Sequence, residues 1–206
     1  MEQKSKNYKG NLIAIEGVDG SGKTTLINNL FQYLRVKVKV DLTKEPGNNP
    51  IGRVHRDLSM TDKVHPYTAA LISTADRYFK MESLLDKINH GFIILSDRYY
   101  LSGLAYHYAD GIPFEEYAYL NRKALKPNSY IFLDVSLENA RKRIQKAHDR
   151  WEAMLEKVYS CYSEALRFLK NVENASVVRL DANLSPDIIF NHALSVIQPL
   201  LRTDAK

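Results

Sequence analysis

The chain has 206 residues, of which 45% are hydrophobic and 26% charged, and these ordinary proportions exclude a wholly disordered chain. Lysine and arginine outnumber aspartate and glutamate by 29 to 24, and the net charge of +5 favours anionic partners without identifying them. No apolar run reaches the roughly 18 residues of a membrane span, and residues 1–10 lack the apolar segment of a secretory signal.

These features lead to expectations about the ends, the location and the partners of the chain. The polar, lysine-rich residues 1–10 are predicted to be a flexible tail, followed by a single domain over 11–206. The single cysteine, Cys161, excludes an internal disulfide and indicates a reducing, cytoplasmic location. Because the basic residues are spread along the chain instead of gathered in one patch, we expect neither nucleic acid nor a membrane as partner.

The first predicted elements are a strand, a helix and a second strand. Leu12 to Ile15 is an apolar run that ends at glycines, as a buried strand does. Apolar side chains recur at helical spacing over 23–34, and residues 36–42 alternate apolar with mostly charged side chains, which predicts a half-exposed strand. The lysines of that strand suit a sheet edge. Breaking residues predict a loop over 45–50.

The second half of the chain alternates in the same way. Residues 66–88 are predicted to form one long helix. Its apolar stripe falls on a different face from Ser73, Asp76 and Arg77, and consists of Leu71, Ala75, Tyr78, Met81, Leu85 and Ile88. Further strands are predicted at 92–95, 130–135 and 177–180, and further helices at 137–147, at 151–169 and after Ser185. The alternation predicts an α/β fold with three layers, in which helices cover both faces of a five-stranded parallel sheet.

The strongest motif fits the pattern G-x-x-x-x-G-K-[ST] between the first predicted strand and helix. Its glycines let backbone N–H groups surround phosphate oxygens at a helix N-terminus, where an anion is favoured. Lys23 adds a cation at the β- and γ-phosphates, and the Thr24 hydroxyl is placed to hold Mg²⁺. The motif therefore predicts a P-loop for ATP, with the phosphates held by Gly17, Gly20, Ser21, Gly22, Lys23, Thr24 and Thr25.

Charged residues follow a second apolar strand. Asp97 ends that strand, and in P-loop proteins a carboxylate at the end of a neighbouring strand typically completes the metal site. Arg98 comes next, at the carboxyl end of the sheet where α/β proteins bind ligands. With Arg77 and Arg150, it offers the forked donors that a doubly charged phosphate acceptor needs.

Seven short segments occur in the order found in thymidylate kinases, and the match runs from about Leu12 to Leu180. The P-loop is shared by many families, whereas the pair of segments around Arg98 is far more specific. The chain thus resembles this family through Gly17–Thr25, Lys44-Glu45-Pro46-Gly47, Ala75-Asp76-Arg77, Asp97-Arg98-Tyr99, Ser102-Gly103-Leu104-Ala105-Tyr106, Leu133-Asp134-Val135 and Asp149-Arg150-Trp151-Glu152.

The resemblance implies transfer of the ATP γ-phosphoryl group to a deoxynucleoside monophosphate, with dTMP as the expected acceptor. It implies that Lys23, Arg98 and Arg150 are catalytic, that Thr24 and Asp97 serve Mg²⁺, and that the chain forms a homodimer. Arg150 would lie in a short mobile lid at about 143–153 and supply the cation that Gly20 does not. The implied acceptor site consists of Asp19, Glu45, Ser73, Arg77, Arg98, Ser102, Tyr106 and His107.

Two implied base-pocket positions depart from the family pattern. Ser73 stands where the family usually has a phenylalanine that stacks on thymine, and loss of that stack could cost about 1–3 kcal/mol. His107 stands where many bacterial members have glutamine. These departures leave the base open, so a related enzyme with altered or broad base choice is one alternative.

Other activities fit parts of the pattern. A deoxynucleoside kinase would use Glu45 as a general base on the 5′-hydroxyl, because such enzymes also carry a Glu-Pro pair after the second strand. A P-loop switch or ATPase is a further alternative, since a P-loop indicates nucleotide binding and not the reaction. A guanine-nucleotide switch would carry an Asn-Lys-x-Asp motif, which this sequence lacks. A nucleic-acid-binding module would leave the P-loop unexplained.

Overall fold

A computed structural model of the chain describes residues 9–61, 64–144 and 154–201. Its five strands form one parallel sheet in the order β2-β3-β1-β4-β5. The strands are β1 (Asn11–Glu16), β2 (Val40–Lys44), β3 (Ile93–Asp97), β4 (Ser129–Asp134) and β5 (Val177–Asp181). The predicted α/β class and five-stranded parallel sheet are confirmed.

Helices connect these strands. They are α1 (Lys23–Leu34), α2 (Pro50–Ser59), α3 (Pro66–Asn89), α4 (Tyr100–Ala109), α5 (Phe114–Leu120), α6 (Leu137–Arg143), α7 (Leu155–Asn171) and α8 (Pro186–Ile197), with a short 3₁₀ turn at Gln198–Leu200. From β1 the chain crosses to β2 at one edge of the sheet and returns to β3, which lies between them. It then passes β1 to form β4 and β5 on the other side. Because crossovers are right-handed, this reversal puts helices on both faces, with α1 against α8 and α4 against α7. Among the described helices, none is both long and apolar enough to cross a membrane.

The central strands form the core and hold the candidate site at their carboxyl ends. Leu12 to Ile15 are fully buried, as are Ile94 and Leu95. Ile15 of β1 pairs with Asp97 of β3, which places the end of β3 beside the start of the predicted P-loop. In a parallel sheet, a ligand binds where the strand order reverses, and β1 is that point here.

The second strand is shorter and lies later than the sequence predicts. Residues 36–39 form turns and irregular backbone after α1, and Val36 is 77% exposed. In the turn, valines alternate with lysines just as apolar and polar residues alternate in a half-exposed strand. The sequence pattern therefore extended the strand into the turn. The expectation that β2 lies at a sheet edge is confirmed.

The N-terminal half of the long helix α3 buries a different face from the one that its apolar stripe predicts, whereas Ile88 of the stripe is buried as predicted. Leu71 is 52% exposed and Ala75 is also exposed, whereas Ser73, Asp76 and Arg77 are 4%, 0% and 1% exposed. The polar face is buried because its charges have buried partners: the Asp76 carboxylate accepts from the Gly47 N–H at 2.7 Å, and Arg77 pairs with Glu45.

Three helices were not predicted. α2 lies partly in the predicted 45–50 loop, and it begins with Asn49 as N-cap, whose side chain accepts from Gly52 N, and Pro50 at the first helical position. That Asn-Pro pair is a helix-start signal. α4 and α5 follow the Asp97-Arg98-Tyr99 segment and are separated by Gly111, which has a φ of 93°, and by Pro113, the N-cap of α5. At the N-terminus, Gly10 is buried and donates to the Ile88 carbonyl, although the sequence places it in the tail.

Candidate active site

The P-loop between β1 and α1 has the backbone of an anion site. Gly20 and Gly22 have φ values of 77° and 93°, which glycine adopts without strain. A Cβ on Gly20 would lie 2.5 Å from the Ala140 carbonyl oxygen, so a side chain does not fit there. No side chain caps the N-terminus of α1, and the buried Ser21 hydroxyl has no hydrogen-bond partner among the described residues. These unsatisfied donors are available to phosphate.

The predicted phosphate-binding lysine points into the loop. Lys23 is 6% exposed, donates to the Val18 carbonyl at 2.9 Å and lies 3.8 Å from the Asp19 carboxylate. Burial, helped by the nearby charge of Arg98, lowers the pKa of Lys23 to about 8. A bound phosphate would add negative charge beside this ammonium group and favour its charged form.

The two predicted magnesium ligands lie side by side. The Thr24 hydroxyl donates to the Asp97 carboxylate at 3.3 Å, across the gap between α1 and the end of β3. A hydroxyl and one carboxylate fit Mg²⁺, which takes few protein oxygens and completes its shell with phosphate and water.

Arg98 lies at the centre of the site in a backbone conformation that is rare for arginine, with a φ of 64°. Its Nη1 donates to the Gly17 carbonyl at 3.0 Å and to the hydroxyls of Ser102 and Tyr162 at 3.2 and 3.1 Å, and its Nη2 pairs with Asp19. Burial opposes the charge of Asp19, but Arg98 and Lys23 lower the pKa of that carboxyl to about 2. The P-loop and the end of β3 are thus joined by an ion pair.

A second arginine forms a buried ion pair on α3. Arg77 donates through Nε and Nη2 to the two carboxylate oxygens of Glu45, which is a bidentate arrangement. Its Nη1 donates to the Asn121 side chain and, at 3.3 Å, to the Tyr117 hydroxyl. Although burial opposes the cation, the negative charge of Glu45 holds the pKa of Arg77 well above its usual value.

Two cavities meet at this point. A cleft of about 560 Å³ is lined by P-loop residues, by Asp97 and by several basic side chains. A cavity of about 180 Å³ lies beside it, and the two share Asp19, Glu45, Pro46 and Arg98 in their walls. The structure brings all the predicted acceptor-site residues to the smaller cavity, namely Asp19, Glu45, Ser73, Arg77, Arg98, Ser102, Tyr106 and His107. The predicted phosphate-site residues Gly20, Gly22, Lys23, Thr24 and Thr25 line the cleft.

This arrangement of P-loop, arginines and adjoining cavities agrees with the comparison to known proteins. A sequence model of the thymidylate kinase family matches residues 15–193, most of the chain. The chain belongs to the thymidylate kinase family. Members of this family are ATP-dependent nucleoside monophosphate kinases, and the resemblance drawn from the sequence segments is confirmed.

Individual relatives match over nearly the whole chain. The chain is 40% identical to a thymidylate kinase of Sulfurihydrogenibium, over 91% of this chain and 95% of the relative. It is 37% identical to a probable thymidylate kinase of Pyrobaculum calidifontis, over 85% and 86% of the two chains. The solved structure of Candida albicans thymidylate kinase, described as having broad substrate specificity, superposes with a TM-score of 0.79 at 26% identity, covering 94% of this chain and 93% of that one.

Within this thymidylate kinase fold, the departures Ser73 and His107 contact each other. The Ser73 hydroxyl lies 2.9 Å from His107 Nε2 and 3.0 Å from the Tyr117 hydroxyl, and it donates to the Ala70 carbonyl. The Tyr117 ring is stacked on Tyr100 and tilted against His107, with ring centroids 5.9 and 4.8 Å apart. His107 and Tyr117 thus contact Ser73 and line the cavity together with it.

Several residues of the site were missed by the sequence analysis. Arg56 lines the phosphate cleft with Lys44, which the sequence named only as part of a family segment, and with Arg143, the first residue of the predicted lid. Arg143 donates to the Gly20 and Ala182 carbonyls at 3.3 and 3.0 Å. His55 and Ser59 line the smaller cavity. The Asn-Pro helix start would have placed Arg56, His55 and Ser59 on one helix, but no local pattern reveals that they face the site. Arg150 and most of the predicted lid lie outside the described residues.

Proposed function

We propose that this chain transfers the γ-phosphoryl group of ATP to the 5′-phosphate of dTMP, giving ADP and dTDP. The observation that carries the proposal is the position of Arg98. Its guanidinium donates to the P-loop carbonyl of Gly17, and the residue lines both the phosphate cleft and the adjoining cavity. A group in that position contacts the acceptor phosphate while the donor phosphates occupy the P-loop.

The donor side depends on groups that are already oriented. The α1 amides and the Ser21 hydroxyl receive the ATP phosphates, and Lys23 adds a cation as the transferred group gains charge on its oxygens. Thr24 and Asp97 would hold Mg²⁺, which neutralises phosphate charge when bound. We also propose that adenine binds next to the P-loop, where Leu184, Pro186 and Ile189 provide apolar surface.

The acceptor side positions dTMP through ionic and polar groups. Arg98 donates to the acceptor phosphate, and Asp19 accepts from the sugar 3′-hydroxyl once the phosphate competes for Arg98. Tyr106 packs beside the deoxyribose, with its ring centroid 5.2 Å from the Arg98 guanidinium carbon. Arg77, which the sequence also predicts to contact the acceptor phosphate, is held by Glu45 and Asn121, and we propose that it offers the base a fixed donor instead. From the family resemblance, Arg150 of the lid adds a cation at the transferred group and closure excludes water.

The polar cavity favours a second candidate, a kinase of the same mechanism with broader base choice. Ser59, Ser73, His55 and His107 line the cavity, and Ser73 stands where the family usually has an apolar phenylalanine. The nucleoside kinase alternative has less support, because Arg77 binds both Glu45 oxygens and holds the carboxylate in a buried ion pair.

The deciding experiment measures ADP release with Mg²⁺ and ATP, offering dTMP, dUMP, dCMP, dGMP and thymidine separately, with an acceptor-free control. We expect dTMP to be phosphorylated fastest. Comparable rates with several monophosphates would establish the broader enzyme, and turnover with thymidine alone would assign Glu45 as base. Turnover that is independent of every acceptor would reject the kinase in favour of an ATPase.

We further propose a homodimer formed through the outward face of α3, and a cytoplasmic location where ATP and a reduced Cys161 are both maintained. Leu71, Ala75 and Phe79 follow one another at four-residue spacing on this face, and Leu71 and Phe79 are 52% and 57% exposed. An apolar stripe of this kind on a 24-residue helix is suited to a second copy of the chain.

Phe79→Glu is therefore expected to convert a dimer to a monomer, because it places a charge in the apolar contact. Sedimentation equilibrium measures the change in mass. Val36→Glu is the matched control, since Val36 is 77% exposed in a turn far from α3 in sequence and should leave the mass unchanged. A wild-type chain that sediments as a monomer at micromolar concentration would reject the dimer.

A further inference from the structure

Glu16, the last residue of β1, is a fully buried carboxylate directly before the P-loop. It accepts from the backbone N–H groups of Tyr99 and Ser102 at 2.9 and 3.3 Å, and from the Ser102 hydroxyl. A buried carboxylate is costly unless its oxygens are satisfied, and here the partners are amides and a hydroxyl. No step of the proposed transfer uses Glu16.

Its partners lie at the beginning of α4. Tyr99 is the N-cap of this helix and Ser102 is its third residue, so the carboxylate caps the helix from a neighbouring strand and interacts favourably with its dipole. Arg98 directly precedes the N-cap in its left-handed conformation. The contact therefore holds the backbone from which the Arg98 side chain extends toward the P-loop.

The hydroxyl contact also has a direction. A carboxylate only accepts, so Ser102 gives its single proton to Glu16 and keeps its lone pairs for other donors. Arg98 Nη1, which only donates, uses one of them at 3.2 Å, and the Tyr162 hydroxyl lies 2.8 Å from the same oxygen. The order of donation runs from Arg98 to Ser102 to Glu16.

We propose that Glu16 is a positioning residue for the acceptor phosphate: through Ser102 and the start of α4, its carboxylate keeps the Arg98 guanidinium in the orientation that binds that phosphate. This inference rests on the proposed function, in which Arg98 contacts the acceptor. It assigns Glu16 to acceptor binding and turnover, and not to ATP binding.

Glu16→Gln tests the proposal because it keeps the shape of the side chain and replaces one acceptor oxygen with a donor. The amide then competes with Arg98 for the Ser102 lone pairs. We expect kcat/KM for dTMP to fall about 10- to 100-fold, as for other small misplacements of a catalytic group, while KM for ATP changes less than about twofold. Since burial raises the pKa of Glu16 to about 7, the assays are run near pH 8.5, where the carboxyl is ionised.

A double-mutant cycle with Ser102→Ala separates positioning from general structural support. Ser102→Ala alone should lower kcat/KM for dTMP, and adding Glu16→Gln to it should cost less than about threefold more, because the competition over the hydroxyl no longer exists. Tyr130→Phe is the control, since it removes a buried hydroxyl that has no hydrogen-bond partner among the described residues. We expect its kinetics to equal those of the wild type.

The outcomes distinguish this inference from the proposed function. A wild-type chain that phosphorylates no monophosphate overturns the proposed function itself. If the wild type is active and Glu16→Gln leaves the dTMP kinetics unchanged, only the positioning role is overturned. If Glu16→Gln does not fold, unchanged dTMP kinetics in Ser102→Ala lead to the same conclusion. Equal losses for ATP and dTMP, or effects that add fully in the double variant, also overturn it, because they indicate a structural residue.

Discussion

Lys23→Ala is expected to lower kcat/KM with ATP and dTMP by about 10³-fold, which corresponds to roughly 4 kcal/mol of lost transition-state stabilisation. The ammonium group is buried in the P-loop, and alanine leaves the developing charge on the transferred phosphoryl group without the P-loop cation. Steady-state ADP release with dTMP as acceptor measures the loss.

The fold should survive this change. Burial already disfavours the charged form of Lys23, as its pKa of about 8 indicates, so the charge does not stabilise the ligand-free protein. We expect a urea midpoint no lower than that of the wild type. Lys170→Ala, on the exposed surface of α7, is the control and should retain full turnover. Residual Lys23→Ala activity within about tenfold of the wild type would contradict the phosphate-binding assignment.

Arg77→Ala is expected to lower the free energy of unfolding by about 3–5 kcal/mol. The guanidinium is 1% exposed, and its removal leaves the Glu45 carboxylate, itself only 8% exposed, without its bidentate partner. Lys80 lies 3.5 Å from that carboxylate and compensates in part, so the lower end of the range is expected. Urea unfolding followed by circular dichroism measures the change.

Two further variants test this explanation. Arg167→Ala removes one partner of the exposed pair with Glu164 and should cost less than about 1 kcal/mol, because surface ion pairs contribute little. The double variant Arg77→Ala with Glu45→Ala should recover part of the loss, since it removes the uncompensated charge as well. A double variant less stable than Arg77→Ala would show that packing of the arginine, and not its charge, explains the loss.

The parts of this protein that the sequence predicted well depend on contacts between residues close in the chain. The P-loop requires glycines, a lysine and a threonine at fixed spacing, and each supports its phosphate contact within one turn of backbone. Leu12 to Ile15 and Ile93 to Leu95 are buried on both faces, so their continuous apolar runs identified central strands of a parallel sheet. The donor site and the fold class followed from these local patterns.

Only the tertiary structure decided which face of α3 is buried and which side chains meet across the acceptor cavity. Hydrophobic periodicity assigned Leu71 to the core, but Glu45, which is 32 positions from Arg77, provides the charge that makes burial of the polar face favourable. Asn121, directly after α5, bonds to Arg77, and His55 of α2 lines the cavity, although no local pattern connects either residue to the site. A hydrophobic pattern reflects only whether each residue is apolar or polar. Whether a charged side chain is buried depends instead on a partner that is distant in the chain.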